Sequence, residues 1–407
     1  MHDRETGDDT SEQSASPGLT IRVVEDLASV DPASWDALAN TGTSAQAPHP
    51  FVRHAFLRSL EEAGCVGGRT GWLPQHLLLE DASGRLLAAT PAYLKGHSQG
   101  EYVFDHGWAD AFERAGGRYY PKLQISVPFT PVTGPRLLVG RGAGGDILRS
   151  ALVEGIEGYV AQTGVSSAHA TFLNAADLAP MLSADFLHRT DQQFHFVNRG
   201  YQTYEDFLDT LASRKRKALR KERREAVANG IEIEQLTGAA ITEAAWDAFF
   251  AFYMDTGSRK WGRPYLNRRF FSLLGQRMAD ALVLVMAKRN GRYIAGALNL
   301  VGDGRIFGRY WGCTEEHPFL HFEVCYHQAI DYAIAHKLEI VEAGAQGEHK
   351  LARGYEPILT HSAHFVAHSG LRNAIEDYLE RERRHVDEVQ PELAAATPFR
   401  KGGPERE

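Results

Sequence analysis

Apolar and polar residues alternate over Thr20–Leu27 (TIRVVEDL), the period of a half-buried strand. Asp31 followed by Pro32 opens DPASWDALA as a helix, with Asp31 as its N-cap. A second helix, FVRHAFLRSLEEAG, follows the break at Pro48–Pro50 and stops at Gly64. HLLLEDASGRLLAATPAYLKG predicts a hairpin turning at Ser83-Gly84. YVFDHGWADAFERAG reads as a strand end running into a short helix. The four prolines of YYPKLQISVPFTPVTGPRLLV make that stretch extended and broken rather than helical. DILRSALVEGIEGYVAQTG is helical, and SSAHATFL and QQFHFVNRG are strands around a short helix near Leu178–Ser183.

A second series then begins. Tyr204–Asn229 predicts one long helix, basic in its second half and stopped by Gly230. IEIEQL is a strand, and ITEAAWDAFFAFYMDTG and YLNRRFFSLLGQRMA are helices. ALVLVMAKRNGRYIAGALNLVGDGRIFGRYWG predicts three antiparallel strands, turning at Asn290-Gly291 and Asp303-Gly304, pairs favoured by type I′ turns. FEVCYHQAIDYAIAHK is a helix with Phe322, Cys325, Tyr326, Ala329, Ile330 and Ala333 on one face. LEIVEAGA is a buried strand and LTHSAHFVAHS a later one, before a charged helix over Asn373–Val389.

The two series echo each other. Gly84-Arg85-x-x-Ala88 recurs as Gly291-Arg292-x-x-Ala295, an offset of 207 (291 − 84). Each hairpin is preceded by a strand and helices and followed by a helix and a further strand, as in a tandem duplication. The division expected is a disordered tail over 1–18, one domain over 19–195, a second over 196–390 entered by the basic helix 204–229, and a flexible tail over 391–407.

Composition narrows the class without naming a function. The 407 residues are 43% hydrophobic and 24% charged, with a net charge of −8, so no general pull towards nucleic acid or anionic lipid is expected. No apolar run approaches the ~18 residues of a membrane span. The acidic N-terminus is the opposite of a secretory signal, and the three cysteines form no framework, so a cytoplasmic protein is expected.

Several stretches together carry a family resemblance: HPFVRHAFLRSLEEAG (49–64), PKLQISVPFTPVTGPRLL (121–138), WGRPYL (261–266), GRYWG (308–312), LHFEVCYHQAIDYAI (320–334) and GAQGEHKLARGYEP (344–357). The chain resembles the FemAB-like, peptidoglycan biosynthesis/recognition branch of the GNAT acyltransferase superfamily, over roughly residues 20–390. The resemblance implies an α/β (α+β) fold of tandem GNAT-like domains, with mixed, largely antiparallel sheets flanked by helices. It also implies transfer of an acyl or aminoacyl group onto an amine, with a small-molecule or peptidoglycan-precursor acceptor and aminoacyl-tRNA or acetyl-CoA as donor. No cofactor is firmly implied. The alternatives are an acetyl-CoA-dependent N-acetyltransferase and a non-catalytic recognition protein on the same fold.

One departure bears on the donor. An acetyl-CoA-binding GNAT domain follows its fourth strand with a glycine-containing loop whose N–H groups cradle the pyrophosphate. Here RIFGRYWG is followed by CTEEHPFLHFE, with no glycine turn and two acids. Gly140–Gly145 is glycine-rich, but Asp146 at the helix start would repel a phosphate.

In such folds the sheet splays between its fourth and fifth strands. The resemblance therefore makes Tyr310, Glu323 and the Gln346–Arg353 loop converge as a site. Acyl transfer to an amine needs a base for the ammonium proton and donors for the oxyanion. Glu348 and His349 are the candidate bases, Glu348 being favoured because a carboxylate beside Lys350 and Arg353 stays ionised. Lys350 and Arg353 suit phosphate or carboxylate, Glu323 suits a substrate amine, and Gln346, His321, Tyr326 and Trp311 complete the contacts. Lys122, Gln124 and Arg136 are expected to line a groove between the domains. The bland readings are a solvated loop, a carboxylate favouring a helix dipole, and packed prolines. Histidine and cysteine spacings supply only pairs, so no metal centre is expected.

SRKRKALRKERRE (213–225) holds eight basic residues and two acids. Arg214, Lys215, Lys217, Lys221 and Arg224 are candidate contacts to the phosphates of a tRNA or an anionic lipid. A solvated helix face is the plain alternative.

Overall fold

The computed structural model describes residues 18–40, 47–142, 144–260, 264–344 and 347–400, and for Ser258, Arg259, Lys260 and Glu348 the backbone alone. Expectations about the two tails before residue 18 and after 400, about Trp261 and about Gln346 lie outside the described residues.

The first half contains β1 (Thr20–Val24), α1 (Pro32–Ala39), α2 (His54–Glu62), β2 (Trp72–Pro74), β3 (His76–Glu80), β4 (Leu86–Thr90) and β5 (Ala92–Lys95). It continues through α3 (His106–Arg114), β6 (Lys122–Ile125), β7 (Leu138–Val139), α4 (Gly145–Thr163), β8 (Ser167–Leu173), α5 (Ala175–Ser183) and β9 (Leu187–Val197). Then come α6 (Tyr204–Asp209), α7 (Ser213–Ala226), β10 (Ile231–Thr237), α8 (Glu243–Lys260), α9 (Arg268–Met278), β11 (Leu282–Arg289), β12 (Arg292–Gly302) and β13 (Arg305–Cys313). The chain ends with α10 (Leu320–Phe322), a π-helical turn (Glu323–His327), α11 (Gln328–Ala335), β14 (Ile340–Glu342), a 3-10 segment (Glu348–Arg353), β15 (Glu356–Val366) and α12 (Ser369–Ala395).

The local chemistry works as the pattern predicts. Asp31 caps α1 by accepting from the Ser34 N–H. Asn290, Gly291, Asp303 and Gly304 all take positive φ (51°, 72°, 52° and 69°), which a type I′ turn requires at both central positions. Two expectations are corrected. The predicted helix Tyr204–Asn229 is two helices, because Leu211 leaves the helical path to bridge Phe399, and Ala212 N–H bonds the Pro398 carbonyl. The C-terminal helix runs past Val389 to Ala395, and Pro398–Arg400 packs against the α6–α7 break instead of trailing away.

β1, β3, β4 and β7 form a four-stranded sheet. The other strands make one eleven-stranded sheet in the order β10-β11-β12-β13-β14-β9-β15-β8-β6-β5-β2. Its pairs are antiparallel except β13 with β14 and β6 with β8. The halves are woven together, since β9 pairs with β14 and β15 runs between β9 and β8. A shared apolar core reinforces this: Phe56 meets Phe270 edge-on at 5.8 Å and Phe51 meets Phe307 at 5.4 Å, all four fully or nearly fully buried. The feature that positions the site is the short parallel pairing of β13 and β14. Only Arg305–Phe307 and Ile340–Glu342 are in register, and beyond them β13 continues to Cys313 paired with β12 but not with β14.

Candidate functional site

Where β13 and β14 part, a polar cluster replaces the strand ladder. Glu342, the last residue of β14, is fully buried. Its carboxylate pairs with Arg309 of β13 and accepts from Thr133 Oγ1 (2.8 Å) and Thr133 N–H (3.3 Å), while His195 Nε2 of β9 stands 3.8 Å away. Burial works against its charge, but the Arg309 charge, with the Thr133 hydrogen bonds, outweighs burial and holds it below the usual carboxylate range. The same burial pushes His195 down to about 4, so its imidazole is neutral. Strands of both halves thus meet at one carboxylate.

The chain leaves β14 into the polar loop and returns through the 3-10 segment, flanked by Gly347 (φ 114°) and Gly354 (φ 83°). A Cβ on Gly354 would lie 2.6 Å from the Phe207 ring, so both space and backbone require glycine there. Lys350 turns inward, only 1% exposed, and its Nζ donates to the Gly344 carbonyl at 2.8 Å. Burial, reinforced by the Arg309 charge, pushes this amine down to about 7. Arg353 lies over the Phe322 ring, 3.4 Å from its centroid, and donates to both oxygens of Glu222 (2.8 and 2.6 Å) and to the His349 carbonyl (2.6 Å). Glu222 also meets His327 Nε2 at 2.8 Å, and His327 Nδ1 meets the Tyr204 hydroxyl at 2.7 Å. His349 Nε2 meets the Tyr326 hydroxyl at 2.9 Å. Desolvation together with Arg353 and Lys350 lowers the His349 pKa, favouring neutral imidazole.

The predicted convergence forms in part. Lys350, Arg353, His349 and Tyr326 come together around the loop, and Trp311 and His321 pair at 5.0 Å between ring centroids. Those last two line a cavity of about 450 Å³ with Thr256, Cys313, Glu315, Glu316, His317 and Leu320. Tyr310 does not join them. Alternation along β13 sends it to the opposite face from Trp311, where it packs against Tyr253 and donates to the Phe129 carbonyl at 3.4 Å. Glu323 is likewise turned away. It sits in the π-helical turn and accepts from Arg223 of α7 at 2.9 and 3.1 Å, and from Gln328 at 2.7 Å. The Glu348 side chain and Gln346 lie outside the described residues.

The groove expected along 121–138 is corrected. β6 lies inside the sheet between β5 and β8, so its polar side chains are buried within the first half. Lys122 is held by Glu101 (2.7 Å), Asp105 and Ser98, Gln124 donates to Thr171, and Arg136 donates to the carbonyls of Thr171, Pro135 and Val132. All three are fully buried. Thr133 is the side chain of that stretch that reaches the β13–β14 parting. Sequence reasoning also missed Glu342, Arg309, Glu222 and His327. The available signal was a charge inside each of two short strands, Arg309 in GRYWG and Glu342 in LEIVEAGA.

On α7, Arg214, Lys215, Lys217, Lys221 and Arg224 are all exposed. Positions 214, 217, 221 and 224 follow helical spacing and form a stripe opposite the buried Leu219, Glu222 and Ala226. The neighbouring Arg216 and Arg220 are paired with Asp209 and Glu205.

The comparisons agree with this architecture. The crystal structure of FemX is 11% identical over 85% of this chain and 98% of its own, with a TM-score of 0.53, and shows the shared fold. L-PGS from Bacillus licheniformis (11% identity, 84% and 96% covered, TM-score 0.46) and a tandem GNAT protein from the clavulanic acid biosynthesis pathway (13%, 86% and 98%, 0.40) also match. No curated protein matches the sequence. The fold is thus mixed α/β and tandem GNAT-like. The FemAB-like profile, described as peptidoglycan biosynthesis/recognition, matches residues 26–401, and the chain belongs to that family.

Proposed function

We propose that this chain transfers an acyl or aminoacyl group onto an amine acceptor, with the chemistry at the parting of β13 and β14. The observation that carries the reading is Lys350, a buried amine poised near 7 beside that parting. A base matched to neutral pH takes the ammonium proton of the acceptor, whose free amine attacks the donor carbonyl. The tetrahedral intermediate collapses with the proton passing to the leaving oxygen or sulfur, so no covalent enzyme intermediate is needed. Lys350 and Glu348 are the bases of this reading, with His349 and Tyr326 at the loop's edge. The family description supports a peptidoglycan precursor as acceptor.

The cavity following β13 supports an aminoacyl donor over coenzyme A. It carries Glu315 and Glu316 where a pyrophosphate would need N–H donors and positive charge. The two-domain division at 195/196 belongs to the same reading, with the exchanged β9 and β15 placing this site beside first-half residues. The test is to incubate the protein with isotope-labelled aminoacyl-tRNA or acetyl-CoA and a set of peptidoglycan-derived amines. Label is expected on the amine from aminoacyl-tRNA. Transfer from acetyl-CoA would favour the acetyltransferase, and transfer from neither would remove catalysis from the reading.

The exposed stripe of α7 fits this donor, or a lipid-linked acceptor, through phosphate contacts. Replacing Lys215, Lys217, Lys221 and Arg224 with Gln is expected to weaken tRNA or anionic-vesicle binding and to flatten its logarithmic salt dependence by roughly 3. Filter binding across a salt series reads this. Equal affinity and slope would leave the stripe a solvated face.

A further inference from the structure

α7 carries a second role on its inner face. The loop that holds Lys350 has few described side-chain bonds to the rest of the fold. Lys350 to the Gly344 carbonyl and Arg353 to the His349 carbonyl both stay within it. Outward it reaches the Tyr326 hydroxyl through His349, and Glu222 through two bonds from Arg353. Glu222 is only 8% exposed and is itself gripped from behind by His327, which Tyr204 holds in turn. One helix position further, Arg223 bridges Glu323 and Asp331, eight residues apart, the first opening the π-helical turn and the second in α11. α7 is therefore locked at the level of Glu222 and cannot shift without dragging Arg353.

We propose that Glu222 is the positioning residue of this site: through Arg353 and the His349 carbonyl it fixes where Lys350 stands. The inference rests on the transfer reading above, but its mechanical part can be judged separately. An unbroken path runs from Glu222 to Arg353, from Arg353 to the backbone of residue 349, and from there to the next residue, Lys350. Charge-assisted, bidentate pairing makes this the strongest bond to its surroundings among the loop's described side chains. Glu222 and Arg353 are engaged with each other, with His327 and with the His349 carbonyl, so their part is to hold, not to react.

Glu222→Gln keeps the shape and removes the charge. Hydrogen exchange followed by mass spectrometry is expected to show amides 349–354 opening about tenfold faster or more, the loss expected for a charged hydrogen bond. Amides of β11 and β12 should speed up far less than those of the loop, and the melting temperature should fall somewhat, since Arg353 is left nearly buried without its opposing charge. With a donor in hand, the variant should lower kcat while leaving KM near the wild-type value. Loop exchange that stays unchanged would overturn the proposal, and so would acceleration spread equally through β11 and β12. Lys350→Met separates the two levels of the argument. If it leaves transfer intact, Lys350 is not the base of the reaction, while loop exchange in Glu222→Gln still decides whether Glu222 holds the loop.

Discussion

Replacing Lys350 with Met is expected to lower transfer by about 10²- to 10⁴-fold, the usual contribution of a positioned acid or base. Met matches the length of the lysine stem and suits its apolar surroundings, while removing an amine that burial disfavours, so folding stability should hold or rise. The pH profile makes the test sharper. With its amine pushed down to about 7, Lys350 becomes an available base as pH rises through that value. Wild-type turnover should therefore climb through about 7 and then level, and Lys350→Met should lose that limb. Glu348→Gln, the other arm, is expected to cost on the order of 10²-fold or more, and His349→Asn less. Transfer assayed from pH 5.5 to 9 with each variant decides between them. A Lys350→Met enzyme that keeps the ascending limb and turns over within threefold of wild type would exclude the lysine. Were Glu348→Gln alone to abolish the limb, the base would be the carboxylate favoured by the sequence.

How far the sequence could be read follows the range of the interactions concerned. Strand alternation, the Asp31 cap and the two I′ turns are decided within a few residues, and each is legible in the local pattern. The motif GAQGEHKLARGYEP marks the loop because it sets five polar or charged residues between glycines right after a strand. What those residues touch is decided elsewhere in the chain. Glu222 sits in a predominantly basic run, and only the packing of α7 across the π-helical turn shows that it faces inward to Arg353. Helical spacing cannot reveal that turn, since an extra residue changes which side chains share a face without changing the composition. Leu211 and Phe399 are 188 residues apart (399 − 211), and their bridge, which ends α6, has no local signal. Tyr310 and Glu323 enter the expected site because the resemblance sets them beside the splay of the fourth and fifth strands, whereas strand alternation in one case and Arg223 in the other turn them away.

Glu342→Gln should be the most destabilising single substitution at the site, by about 3–5 kcal/mol, because it leaves Arg309 buried with no opposing charge. Size has little part in this, as Gln has nearly the volume of Glu and can still accept from Thr133. The decisive comparison is Arg309→Met with Glu342→Met, which removes both charges. If an uncompensated charge is the cause, the double variant should regain much of the loss, since apolar replacement of a buried pair is often neutral or better. The sign of the pH dependence agrees. The folded-state pKa of Glu342 lies below the usual carboxyl value, so its contribution is fully present above that value and fades as pH falls through the lowered one. Chemical denaturation at pH 7 and at decreasing pH measures both effects. A Glu342→Gln loss under 1 kcal/mol, or a double variant as unstable as the single, would show that packing and not charge holds the parting. The outcome reaches beyond stability, because Thr133, His195, Arg309 and Glu342 come from β9, β13, β14 and the 121–138 stretch. If their charge balance holds the parting open, the shape of the cleft beside Lys350 is set jointly by both halves of the chain, and a change at Thr133 should be felt at Lys350 although it lies in the other half.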